Sequence, residues 1–137
     1  MDKSDKPRIV EIPKISDPRG NLSFIQQPIC PFPIKRVFYL YDVPADSERG
    51  GHAHYQGREL IIALSGAFDV VLTDGTESVR WHLDRPYRGL YVPTGIWRTI
   101  DNFSGGAVCM VLTSVEYSEE DYIRDYDDFI EYVRNKK

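Results

Sequence analysis

The stretch "ELIIALSGAFDVVLTDG" (Glu59–Gly75) decides the class of fold. Residues 59–65 are a nearly unbroken apolar run that reads as a buried strand. Ser65-Gly66 turns the chain into "AFDVVLTD" (67–74), a second strand. Asp74-Gly75 is a strong hairpin signal, and "ESVRWHL" (77–83) then alternates as a half-buried strand does. Strands joined this tightly pair antiparallel.

Working outward, the same pattern repeats. Upstream lie "RIVEI" (8–12), a strand over 21–27 after the Pro18-Arg19-Gly20 turn, and "IKRVFYLYDV" (34–43). Downstream come "RGLYVP" (88–93), "IWRTIDN" (96–102) and, past Gly105-Gly106, "AVCMVLTSV" (107–115). Many short strands with turns about every ten residues predict an antiparallel sandwich or barrel. The C-terminus differs. Ser118 followed by three acids looks like an N-cap, and Ile123, Tyr126, Ile130 and Val133 recur at helical spacing, so one helix is expected over about 118–135. The tyrosines there read as packing. With no linker or repeat, residues 1–137 are expected to form one domain.

The chain has 137 residues, 42% hydrophobic and 28% charged, with a formal charge of -4. That balance offers no global field for nucleic acid or an anionic membrane. An anionic ligand would have to be met by local arginines. No segment reads as a secretion signal or a membrane span. Cys30 and Cys109 make no disulfide framework, which fits a reducing cytoplasm.

Two of the three histidines lie in "RGGHAH" (Arg49–His54). If this segment is extended, His52 and His54 share one face and Ala53 points away. Imidazoles titrate near neutrality, so two in one cavity can divide the roles of base and acid. A plain loop would use the glycines equally well. His52-x-His54-x4-Glu59-x6-Gly66 also resembles the first metal motif of the cupin superfamily. In the second motif, Pro93-Thr94-Gly95-Ile96-Trp97-Arg98, an arginine stands where the remaining histidine ligand is expected. A guanidinium is no ligand. The expectation is therefore no metal and no other cofactor, with a cavity for an anion or polar ligand.

From "DPRG" near 17 to "DYIRDYDDF" near 129, the chain resembles the sugar-nucleotide 3,4-ketoisomerases, the FdtA/WxcM-like small cupins. The match is carried by Lys35–Tyr39, Arg49–His54, "GLYVP" (89–93), Ile96-Trp97, Asn102–Ser104, "VCMVLTSVEY" (108–117) and "DYIRDYDDF" (121–129). The resemblance implies an all-β, cupin-type antiparallel jelly roll (a double-stranded β-helix) working as a homodimer on dTDP-4-keto-6-deoxyglucose. It implies His52 as base, His54 as its proton-handling partner and Tyr39 as an active-site tyrosine. Asp17-Pro18-Arg19-Gly20 is also similar to the opening of the dTDP-sugar 3,5-epimerases, which implies a pyrophosphate role for Arg19. Many members of the family carry glutamine at the position of Glu59, and some histidine at that of Arg98.

The chemistry is coherent. A C3 proton beside a C4 ketone is acidic through its enolate. An enediolate across C3 and C4 then lets the ketone move, and it needs a base and hydrogen-bond donors but no redox cofactor. Arg19, Arg49 and Arg98 are the candidates for the pyrophosphate, with Arg36 and Arg58 as weaker ones. Tyr91 or Phe24 would accommodate the base, and Trp97 the sugar. His82 reads as structural or exposed. The product would enter biosynthesis of a dTDP-3-amino-3,6-dideoxy sugar. The alternatives are a 3,5-epimerase, a metal-dependent cupin and a non-catalytic sugar-nucleotide binding module.

Overall fold

A computed structural model describes residues 5–136. Its strands are β1 (Arg8–Glu11), β2 (Lys14–Asp17), β3 (Gly20–Ser23), β4 (Arg36–Leu40), β5 (Arg49–His54), β6 (Glu59–Ser65), β7 (Phe68–Thr73), β8 (Ser78–Leu83), β9 (Arg88–Val92), β10 (Trp97–Asp101), β11 (Val108–Thr113) and β12 (Tyr122–Ile123), followed by helix α1 (Tyr126–Asn135). Two five-stranded sheets, β1-β9-β6-β11-β4 and β12-β5-β10-β7-β8, face each other, and every pairing is antiparallel. Strands β2 and β3 form a separate hairpin, and all eight of their residues are exposed. The result is the expected all-β jelly roll with one C-terminal helix.

Three apolar clusters explain which strands alternate and which do not. Between the sheets lie Ile61 and Ala63 of β6, Val70 and Leu72 of β7, Leu90 of β9, Ile100 of β10 and Val111 of β11. The opposite face of β6, Leu60 and Ile62, packs with Tyr91, Leu112, Ile12, Cys30 and Phe32. Strand β6 is thus buried on both faces, which is why "ELIIALS" shows no polar alternation. The third cluster, Ala53 with Ile123 and Phe129, joins the outer face of β5 to α1.

The C-terminal helix is shorter than the spacing predicts. Ser118 makes no side-chain cap; residues 119–121 form a 3-10 turn and Tyr122–Ile123 a strand paired with β5. The helix starts at Tyr126, where Asp125 accepts a hydrogen bond from the Asp128 amide at 3.1 Å. The reason is Asp121. Its carboxylate accepts from the amides of Gln56 (2.7 Å) and Gly57 (3.0 Å), and its carbonyl accepts from the Tyr55 amide. These bonds tie 121 to the loop after β5 and hold the following residues extended. The strand expected over 21–27 likewise ends at Ser23.

Candidate active site

Strand β5 is extended through "RGGHAH", so His52 and His54 point to the interior together, 7% and 9% exposed. Their ring centroids lie 4.8 Å apart, edge to face. Strand β10 pairs with β5 so that Arg98 is the register partner of His52, with a bulge before Ile100. Cross-strand partners share a face, which places Arg98 beside the histidines. From the facing sheet, Glu59 points inward with the parity of Ile61. Arg98 donates through Nε and Nη2 to both Glu59 oxygens, the second bond at 2.8 Å, and both side chains are 2% exposed. Gly50 explains itself here: φ is +73° and a Cβ there would collide with Arg98 Nη1. The first glycine of "RGG" makes room for a guanidinium.

His52 Nε2 is buried without a hydrogen-bond partner. Burial, and then the charge of Arg98, push the His52 pKa down to about 3, with Glu59 opposing. Burial also lowers His54. These histidines are therefore held neutral more firmly than the near-neutral tuning expected from sequence. Burial by itself would raise the Glu59 pKa, but the charge and hydrogen bonds of Arg98 outweigh it and lower the group. The site thus contains an imidazole with an open nitrogen, held in its neutral form, beside a self-compensated ion pair.

Candidate ligand atoms of His52, His54 and Glu59 lie within 4.8 Å of one another. A cation bound there would compete with Arg98 for Glu59 and would have a guanidinium as neighbour. This donor set fits an anion-tolerant acid/base site better than a metal.

Residues 5–134 match the family described as FdtA, WxcM-like, C-terminal. The chain belongs to this family. A curated relative, the TDP-4-oxo-6-deoxy-alpha-D-glucose-3,4-oxoisomerase of Aneurinibacillus thermoaerophilus, is 40% identical over 127 residues, 92% of this chain and 91% of that protein. A 3,4-ketoisomerase from Helicobacter canadensis superimposes with a TM-score of 0.91 at 39% identity, covering 93% of this chain and 97% of that one. The QdtA 3,4-ketoisomerase from Thermoanaerobacterium thermosaccharolyticum was solved as a His-to-Asn mutant in complex with TDP-4-keto-6-deoxyglucose. It superimposes with a TM-score of 0.94 at 33% identity, covering 96% of each chain.

Within this WxcM-like frame, the structure brings together only part of the residue set chosen from sequence. His52, His54 and Arg98 converge, but Arg98 is already neutralised by Glu59. Tyr39 does not join them. On β4 it is Phe38 and Leu40 that pack toward the core, so Tyr39 lies on the outer face, 60% exposed and stacked near Tyr41. The tyrosine expected from "VFYLY" is one residue out of phase with the interior, and a one-residue offset reverses the face.

Tyr91 is buried on the outer face of β9, packed with Phe32 under Arg8, and its hydroxyl donates to Asp5 at 3.0 Å. Trp97 is half-buried against Tyr126 and Phe129 of α1, on the face of β10 opposite to Arg98. Arg19 sits at the tip of the β2–β3 hairpin, bonded to Asp17. Arg49 is exposed at the start of β5. Phe24 is half exposed and lines an outer groove. His82 is exposed and bonded to Asp69, as its structural reading expects.

One neighbour of the histidines escaped the sequence reading. Tyr122 pairs with His54, and its ring centroid lies 4.8 Å from that of His52 and 4.6 Å from that of His54. The helical spacing over 118–135 predicts Tyr122 inside a helix, whereas α1 starts four positions later.

Proposed function

We propose that this enzyme moves the keto group of TDP-4-keto-6-deoxyglucose from C4 to C3. The observation that carries the proposal is the buried, unpartnered and neutral His52 Nε2, in a chain 40% identical to a named TDP-4-oxo-6-deoxyglucose 3,4-oxoisomerase. His52 removes the C3 proton, and the electron pair moves onto the C4 oxygen. The C3 hydroxyl gives up its proton as the C4 oxygen gains one, with His54 moving or steadying protons on these oxygens. Return of a proton to C4 leaves the ketone at C3. Proton transfer to a neutral base creates an imidazolium and an enolate together, and the donors lower the energy of that charged intermediate. A C3 ketone is the substrate class of an aminotransferase, which places the reaction before transfer of an amino group. Arg49 and Arg19 remain the exposed cations for the pyrophosphate. Both cysteines are free and buried, and no helix of the described residues is long and apolar enough to cross a membrane; we read the protein as cytoplasmic.

Proton NMR in deuterated buffer tests this. Incubation of the chelator-treated protein with TDP-4-keto-6-deoxyglucose should give a 3-keto product carrying deuterium at C4. Deuterium at C3 and C5 with the ketone still at C4 would instead mean a 3,5-epimerase.

The enzyme is further proposed to act as a homodimer. Strand β4 is an open sheet edge, and the face beside it exposes Val37, Tyr39 and Leu64. A groove of about 370 Å³ lined by Phe24, Val37, Met110 and Leu112 adjoins it, and the exposed β2–β3 hairpin presents Ile15 and Leu22. Apolar surface of this kind next to an unpaired edge favours a partner, and a second copy is the simplest one. Light scattering at micromolar concentration should return twice the 15.8 kDa chain mass; a monomer mass would refute the dimer.

A further inference from the structure

We infer that Tyr122 is a third catalytic group, a hydrogen-bond donor to the enediolate oxygen, held in place by Arg36. The inference rests on the ketoisomerase reading and adds a residue to it. Three observations lead there.

Strand β12 is only two residues long, and its pairing with β5 sets Tyr122 directly opposite His54. Antiparallel partners present their side chains to one face, so the phenol looks into the same interior as the imidazoles. A substrate atom in reach of His52 Nε2 therefore lies beside this ring as well.

The hydroxyl is oriented from across the fold. Arg36, at the start of β4, donates from Nη1 to Tyr122 Oη at 3.3 Å. Strands β4 and β12 are edges of opposite sheets, so this bond spans the two. A phenol oxygen that accepts from a guanidinium keeps its own proton to give. Among the described residues, no acceptor takes that proton and no carboxylate pairs with Arg36. The cation is thus free to strengthen the donor as negative charge develops on the substrate oxygen.

The ring is clamped. Arg124 lies over it at 4.2 Å and is itself held by Glu119, with Nη2 to Oε2 at 2.9 Å. Packing alone accounts for the ring but not for the hydroxyl, since phenylalanine would make the same ring contacts. An enediolate needs a donor at the oxygen that gains charge while the base is occupied with the carbon-bound proton. The tyrosine is placed to be that donor.

Tyr122→Phe separates the two roles. With TDP-4-keto-6-deoxyglucose, the variant is expected to lose about 100-fold in kcat, in line with removal of one oxyanion donor, with KM within about threefold. Loss of deuterium exchange at C3 should match the loss of turnover, because the enediolate itself is less stabilised. A kcat within twofold of wild type would overturn the assignment, as would undiminished C3 exchange with slowed turnover. If Tyr122→Phe melts well below wild type, Arg36→Met decides instead. It leaves the tyrosine, removes the bond to its oxygen along with the stacking of Arg36 on Phe38 and Tyr117, and should lower kcat about 10-fold; an unchanged kcat would overturn the proposal. An inert wild-type protein would sink the ketoisomerase reading and this inference together. An active wild type matched by its variants would sink the tyrosine alone.

Discussion

His52→Asn is expected to keep the fold and lose turnover by on the order of 10³-fold or more, within the range that a positioned general base supplies. Asparagine fits the volume and can satisfy its amide in the polar interior, but it cannot take a proton. The loss should fall on kcat, with TDP-sugar binding nearly intact. The structure adds a pH signature. The pKa of His52 is lowered to about 3, so the competent neutral form persists well below the ordinary imidazole range. The acid limb of kcat/KM in the wild-type enzyme should therefore lie below pH 6.5 rather than at it.

Stability has the opposite dependence. The unfolded chain protonates this histidine below about 6.5 and the folded chain does not, so stability declines as pH falls through that value. A pH–rate profile and melting curves at pH 7.5 and 5 check both signs. Near wild-type turnover by His52→Asn would remove His52 from the role of base.

The second large effect is on stability. Glu59→Gln is expected to cost about 3–5 kcal/mol, which for a domain of this size lowers Tm by on the order of 10 °C. The change leaves the Arg98 guanidinium 2% exposed, charged and without a counter-ion, and a guanidinium has no route to neutrality. Arg98→Met is not its mirror image. The stranded carboxylate can take up a proton, and burial then raises its pKa above the unfolded value. Its stability should thus be greater at pH 5–6 than at pH 8, being lost as pH rises through the raised folded pKa. In the native pair the sign is reversed: the Glu59 pKa is lowered, and its contribution is present above about 4.5 and lost as pH falls below that range. Thermal denaturation of both variants across pH tests this. Melting of both within a degree of wild type at all pH values would mean that the pair is not a buried, mutually dependent ion pair. Arg98→Met should also raise the acid limb of the rate profile, because Arg98 is the second cause of the lowered His52 pKa.

The sequence alone determined the sheet class, the two histidines on one face, and the family. Those signals are local. A run such as "ELIIALS" ended by Ser65-Gly66 is a strand bounded by a turn, and a His-Ala-His triplet in extended chain must put both imidazoles on one side. The resemblance to the cupin motifs also put Arg98 where a histidine ligand is expected. What the sequence did not contain is where that charge goes. The bidentate contact of Arg98 with Glu59 joins residues 39 positions apart on opposite sheets, and only the closing of the jelly roll brings them together. The phase of β4 was also a tertiary decision. "VFYLY" is apolar or aromatic at every position, so period-two alternation cannot say which face is inner, and core packing selects Phe38 and Leu40 over Tyr39. Helical spacing over 118–135 was a true local preference that lost near its start. Three hydrogen bonds to Asp121 tie the chain to the loop after β5, and that tether, invisible in any window of sequence, turns Tyr122 from a helical residue into a neighbour of His52 and His54.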